Sequence, residues 1–265
     1  MGFLSRILAP VEFSERCERA ARYARSLAEC FESELTILHV LASPGDLDEE
    51  SYRKLVSHLE RRLHEFGSSE VSRFPVRRLA VKGDVSRKIV QYSQDERIDL
   101  IVMPTRGFGP YRRFILGSNT AKVLHDADCA VCTGVHLDEA PAPGLPPESI
   151  LCAVDLGPQS RTVLAFACGL QRRFAARVTV AHAVSAGSLE PAARKELEQL
   201  VCETVLGADL LVEAGDPAQV ISEAAGRTGA NILVIGRGSA SGSFGRLRTN
   251  AYAMIRQSPC PVFSV

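Results

Sequence analysis

From residue 104 to 118 the chain reads Pro-Thr-Arg-Gly-Phe-Gly-Pro-Tyr-Arg-Arg-Phe-Ile-Leu-Gly-Ser, residue types suited to holding a phosphate. Gly107, Gly109 and Gly117 let backbone N–H groups approach an oxyanion, because no Cβ stands in the way. Ser118 adds a hydroxyl, and Arg106, Arg112 and Arg113 add positive charge. A helix beginning after Gly117 would add its unpaired first N–H groups and the positive end of its dipole. Residue types alone leave a second reading open, a surface loop in which Gly117 and Ser118 only start the helix. The chain has no G-x-x-x-x-G-K-S/T, and Gly107-Phe108-Gly109 lacks the third glycine of a dinucleotide fingerprint.

Other chemistry-bearing residues read as structural. His39 and His182 sit at equivalent strand ends, with no nucleophile or carboxylate at catalytic spacing nearby. Asp84 and Asp216 each follow a glycine and precede a helix, where capping accounts for them. His58 and His64 are six apart on one helix, which is not the i,i+4 spacing of a metal pair. Cys129-x-x-Cys132 has no second pair at zinc spacing, and the eight cysteines are scattered through helices and strands, as reduced core residues are. No metal site and no catalytic residue is expected.

The elements that must position the 104–118 segment follow from apolar patterning. Residues 4–9 form a buried strand, and Ser14 caps a helix running to Phe31. Strand 35–40 is followed by a helix over 47–66, with Leu55, Leu59, Leu63 and Phe66 on one face and a charged face opposite. Strand 76–81 leads through Asp84 to a helix ending near Arg97. Strand 100–103 is wholly aliphatic, as parallel strands covered on both faces are. A short helix over 118–125 and a strand over 130–135 close the unit.

This unit then recurs. Residues 7–12 answer 150–155, His39 answers His182, Gly83-Asp84 answers Gly215-Asp216, residues 100–103 answer 232–235, and Cys129-Ala130-Val131 answers Cys260-Pro261-Val262. The second copy is one residue shorter after its fourth strand, and Pro191 suits the first turn of its second helix. Residues 138–148 are rich in proline and form a semi-stiff linker. The expected domains are therefore residues 1–137 and 149–265. Strands alternating with helices imply a parallel sheet with right-handed crossovers, whose ligands bind beyond the strands' carboxyl ends.

Composition excludes several classes. The chain of 265 residues carries 31 basic and 31 acidic side chains, so it has no bulk attraction for nucleic acid or anionic membrane. No apolar run approaches the roughly 18–20 residues of a membrane span. Glu12 and Glu15 interrupt any signal-peptide core, which makes the cytoplasm the expected location.

The repeated unit resembles that of the universal stress proteins, and the likeness covers nearly the whole chain. It is carried by the acidic residue ending the first strand (Glu12, Asp155), His39-Val40, the two Gly-Asp turns and the closing Cys-Pro-Val strand. It is carried too by Gly107, Gly117 and Ser118 at the G-x2-G-x9-G-S/T spacing of ATP-binding members. The resemblance implies an α/β fold of two tandem Rossmann-like, adenine nucleotide alpha hydrolase-like domains. Each would be a five-stranded, mostly parallel sheet flanked by helices, and the last strands of the two would pair into an intramolecular pseudo-dimer, open to further homodimerisation. It implies ATP, with or without Mg, at Pro10, Val11, Glu12, Val40, Met103, Arg106, Gly107, Gly117, Ser118, Asn119 and Thr120.

Two departures weaken that site: Pro104 replaces the first glycine and has no N–H, and Glu12 replaces an aspartate. In the second copy Asp155 and Gly236 match. Ser239 or Gly238 stands at the second glycine, and Arg248-Thr249 replaces Gly-Ser, so that copy is expected to be empty or to hold a smaller anion on Arg237, Arg246 and Arg256. The implied function is a regulatory adenine-nucleotide-binding module of the stress response, with little or no hydrolysis and a protein signalling partner. A nucleotide-independent interaction protein is the alternative, followed by a slow ATP hydrolase or a transferase.

Overall fold

The computed structural model describes residues 2–42, 48–66, 75–105, 116–134, 146–185, 190–202, 207–237 and 249–265. The chain divides into two compact units, Met1–Ala130 and Val131–Val265.

The first unit runs β1 (Arg6–Val11), α1 (Glu15–Phe31), β2 (Glu34–Leu41), α2 (Glu49–Glu65), β3 (Val76–Lys82), α3 (Val85–Asp95), β4 (Leu100–Val102) and α4 (Ser118–Asp126). Its strands lie in the order β3-β2-β1-β4, all parallel. The first two crossovers step one way from β1 and the third returns to its other side. Right-handed connections then put α1 and α2 on one face and α3 on the other. Burial follows from that double cover: Ile7, Leu8, Leu100, Ile101 and Val102 are fully enclosed.

The second unit takes in β5 (Ala130–Thr133) from Val131 onward. It continues with β6 (Ser149–Ala153), α5 (Ser160–Phe174), β7 (Arg177–Val184), α6 (Glu190–Cys202), β8 (Asp209–Ala214), α7 (Pro217–Thr228), β9 (Ile232–Ile235), α8 (Thr249–Gln257) and β10 (Val262–Ser264). Its order is β5-β10-β9-β6-β7-β8, with β5 alone antiparallel. The last strand of the first repeat is thus grouped with the second unit. Val131 faces Ser264, Cys132 faces Phe263 and Thr133 faces Val262. Cys132 and Phe263 hold the same place in their repeats, so the register is symmetric about them.

Local chemistry sets the element ends. Ser14, Asp48, Asp84 and Asp216 cap α1, α2, α3 and α7, each accepting from a first-turn N–H. Gly83 and Gly215 have φ of 148° and 153°, a conformation that side-chain-bearing residues avoid, and each N–H donates to the end of the neighbouring strand. The strand over 130–135 is shorter than its sequence suggests: it ends at Thr133, and Gly134 packs against the Pro261 backbone. Among the described residues, no helix is long and apolar enough to cross a membrane, and no cluster of His, Cys, Asp and Glu is arranged to hold a metal ion.

One contact fixes where each central strand begins. Asp99 Oδ2 accepts from the N–H groups of Ser5 at 2.7 Å and Arg6 at 2.9 Å. Its repeat equivalent, Asn231, accepts through Oδ1 from Glu148 at 2.9 Å and Ser149 at 3.1 Å. The position needs an sp² oxygen and not a charge. Asp99→Asn is therefore expected to unfold in urea at nearly the wild-type midpoint, whereas Asp99→Ala strands two donors and lowers stability by about 1–3 kcal/mol.

Candidate functional site

The carboxyl edge of the first sheet gathers most of the residues singled out from sequence. Pro10 and Val11 end β1, and Glu12 follows. Val40 lies near the end of β2, and Met103 and Pro104 follow β4. The β1–β4 ladder stops at Leu8 opposite Ile101, two residues before Pro10, which has no N–H to extend it. The two strands thus cease pairing where the crossover direction reverses, the place where open α/β sheets form a ligand crevice.

Helix α4 is anchored at this crevice by two bonds. The Gly117 N–H donates to the Thr105 carbonyl at 2.8 Å, and the Thr120 hydroxyl donates to the Pro104 carbonyl at 3.1 Å. Pro104, which sequence reasoning weighed only as a lost donor, serves here as an acceptor. Thr120 is buried and its hydroxyl is committed to that bond, while Ser118 and Asn119 are exposed. Gly117 is the N-cap and supplies no side-chain acceptor, so the N–H groups of Ser118, Asn119 and Thr120 have no partner within the helix. N–H groups in that setting are free of helical acceptors and suited to an oxyanion. Arg106 and Gly107 lie outside the described residues, as do Arg246 and Arg248 of the second copy.

Both histidines tie neighbouring strands together. His39 Nδ1 meets the Val11 carbonyl at 2.9 Å, and His182 Nδ1 meets the Val154 carbonyl at 2.9 Å. A carbonyl only accepts, so Nδ1 carries the proton in each ring. Sequence reasoning missed what covers His39. Phe13, at φ 63°, places its ring 4.6 Å from the imidazole and 5.8 Å from Phe66, with the Arg62 guanidinium 4.3 Å above the Phe13 centroid. No local signal marks a phenylalanine for left-handed backbone; the repeat offers one, since Leu156 has the same sign of φ at the same place.

The two acidic residues differ in setting. The Glu12 carboxylate accepts from the Ser14 hydroxyl at 3.4 Å. Asp155 Oδ1 accepts from the Gly157 N–H at 2.9 Å and the Ser160 hydroxyl at 3.3 Å. Beside Asp155 the second unit contains a cavity of about 200 Å³, lined also by His182, Gln159, Gly236, Asn250 and Met254.

With this geometry in view, comparison with known proteins is decisive. The profile of the Universal stress protein family matches residues 4–133 and again residues 147–265. The chain belongs to the universal stress protein family. A universal stress protein of Thermus aquaticus is 30% identical over 129 residues, covering 47% of this chain and 94% of that relative. One from Methanocaldococcus jannaschii is 29% identical over 139 residues, covering 48% of this chain and 79% of its own length. These relatives match about half of this universal stress protein, as a tandem repeat of the family unit requires. A solved universal stress protein of Archaeoglobus fulgidus has a TM-score of 0.75, covering 98% of this chain and 97% of that one; at 18% identity it shows the shared fold.

Burial holds the His39 ring below its ordinary 6.5, the Val11 carbonyl opposes that shift, and the nearby Arg62 charge adds to it. The unfolded chain therefore binds the proton more readily. The stability this histidine contributes is present above about pH 6.5 and is lost as the pH falls below it toward the depressed folded value. In His39→Asn, whose amide can still donate to Val11, urea midpoints measured from pH 7.5 to 5 are expected to fall less than in the wild type.

Proposed function

We propose that the first repeat binds ATP or a related adenine nucleotide, with or without Mg, as a regulatory module of the stress response with little or no hydrolysis. The observation that carries this reading is the start of α4, where Gly117 leaves three first-turn N–H groups without intrahelical acceptors beside the β1–β4 crevice. Gly107, Gly117 and Ser118 at the spacing of ATP-binding family members support it from sequence. Val11, Val40 and Met103 supply buried apolar surface for a base, and Glu12 an acceptor for its donors or the ribose. Mg, when present, would ride on the phosphates. Neither a Walker-type lysine nor a general base is found in the motif, which is why regulation and not turnover is proposed.

In this reading residues 1–137 and 149–265 are the two domains, 138–148 links them, and the cytoplasm is the working compartment. The symmetric β5–β10 pairing supports an intramolecular pseudo-dimer, whose surface would meet a protein signalling partner.

Calorimetric titration with Mg-ATP tests the site. Ser118→Ala is expected to weaken binding by about 1.5–3 kcal/mol through loss of a charge-assisted hydrogen bond. Gly117→Arg is expected to abolish it by filling the phosphate position. Wild-type protein that gives no binding heat would overturn the proposal.

A further inference from the structure

The first unit contains a cavity at the other edge of its sheet, where the strands begin. It measures about 310 Å³, and its lining comes from the first residues of β1, β2 and β3 and from the end of α3. In a parallel sheet, residues paired in register share a face, as do residues two apart on one strand. Arg6 pairs with Glu34 and Thr36 with Arg77, so all four stand on one face. That face is the one α3 covers: Arg6 Nη1 donates to the Glu96 carbonyl at 2.7 Å, and Arg77 Nη1 lies 3.4 Å from Glu96 Oε1. Tyr92, one turn before Glu96, completes the lining from the helix side.

Two hydroxyls here have no protein partner. Thr36 is 7% exposed, and its hydroxyl makes no hydrogen bond to a described residue; neither does the phenol of Tyr92. Each can donate and accept. The charges at the rim cancel. Arg6 Nε lies 3.5 Å from Glu34 Oε2, and Arg77 pairs with Glu96, which gives two cations and two carboxylates. A guanidinium has about five donors and a carboxylate about four lone-pair sites, so these contacts leave most of them for a ligand. Pro75, Val76 and Ile98 supply aliphatic wall beside the Tyr92 ring.

These features discriminate between ligands. A ligand with net charge of either sign meets as many like charges as opposite ones at the rim. A zwitterion has to break both ion pairs to form its own. A neutral ring bearing several hydroxyls bonds to the open donors and lone pairs with the ion pairs intact, and its C–H face packs on Tyr92 and the aliphatic wall. The volume, at the lower bound of the roughly 300–1,000 Å³ of ligand clefts, admits one such ring and not a chain of them. The second repeat lacks the set: Thr179 keeps the threonine, but Ala224 stands for Tyr92, Arg177 for Glu34 and Asp209 for Arg77.

We infer that the amino edge of the first sheet binds a neutral polyhydroxylated ring, a monosaccharide or cyclitol. The site is independent of the one proposed for nucleotide, which lies beyond the opposite ends of the same strands.

The test is ligand-observed NMR titration of the full chain with D-glucose, myo-inositol, D-glucuronate and L-leucine as probes. At least one of the two neutral polyols is expected to bind, with glucuronate and leucine at least about tenfold weaker. Thr36→Val removes the hydroxyl and nearly keeps the shape. Because that hydroxyl has no protein partner, the melting temperature is expected to hold while polyol affinity falls about tenfold. Tyr92→Ala, which copies the second repeat, is expected to abolish binding, and Gly117→Arg to leave it unchanged. The inference is overturned if neither neutral polyol binds, which leaves the cavity to water alone, or if leucine or glucuronate binds more tightly than both. It is overturned too if binding survives Thr36→Val undiminished, or is lost in Gly117→Arg, which moves the polyol to the carboxyl edge. Failure of Mg-ATP to bind, with polyol binding still governed by Thr36, sinks the nucleotide reading alone.

Discussion

In each repeat the direction of the crossovers reverses at one buried strand, which is paired on both sides. For β1 the partners are β2 and β4, and for β6 they are β7 and β9. Each strand is pinned by two side chains, one at either end. Asp99 or Asn231 holds the first N–H groups, and His39 or His182 holds a carbonyl at the far end. A strand fixed in this way cannot slip by a residue without turning its whole apolar set over. The residues that follow it, Glu12 and Asp155, therefore stay at the mouth of the crevice.

The crevice mouths of the two repeats differ because the lining residues differ while the pins do not. In the first repeat the β1–β4 ladder ends at Leu8, ahead of Pro10, and α4 is tied to Pro104 and Thr105. In the second, Ala153 takes the place of Pro10, and the β6–β9 ladder runs on to Ala153 opposite Ile235. There Ala251 has no hydroxyl to form the tie that Thr120 makes. One half thus presents an uncapped helix start next to separated strands, and the other a small cavity beside a carboxylate. The two repeats share what holds the strands and differ in what lines the crevice.

The caps at Ser14, Asp84 and Asp216 were legible in the chain because a short polar side chain before an apolar helical pattern has one obvious use. The repeat, the parallel strands and the buried face of α2 at Leu59 and Leu63, with Phe66 at its C-cap, were legible for the same reason, a local pattern with a local cause. What escaped depends on partners distant in sequence. The Asp99 contact spans more than ninety residues, and the Thr120 bond to Pro104 reverses the meaning of a proline read only as a missing donor. Phe13 escaped because nothing in its type announces positive φ. The cavity beside Asp155 comes from several small side chains, each unremarkable alone, that meet only once the sheet has formed.

The central claim is that the first repeat is a working adenine-nucleotide site. Its most direct test is to denature freshly purified full-length protein, then identify and count any released nucleotide by chromatography and mass. The account predicts close to one ATP or related adenine nucleotide per chain. Two nucleotides per chain would contradict a single site in the first repeat. None released, with no thermal shift on adding Mg-ATP, would contradict the assignment of the first.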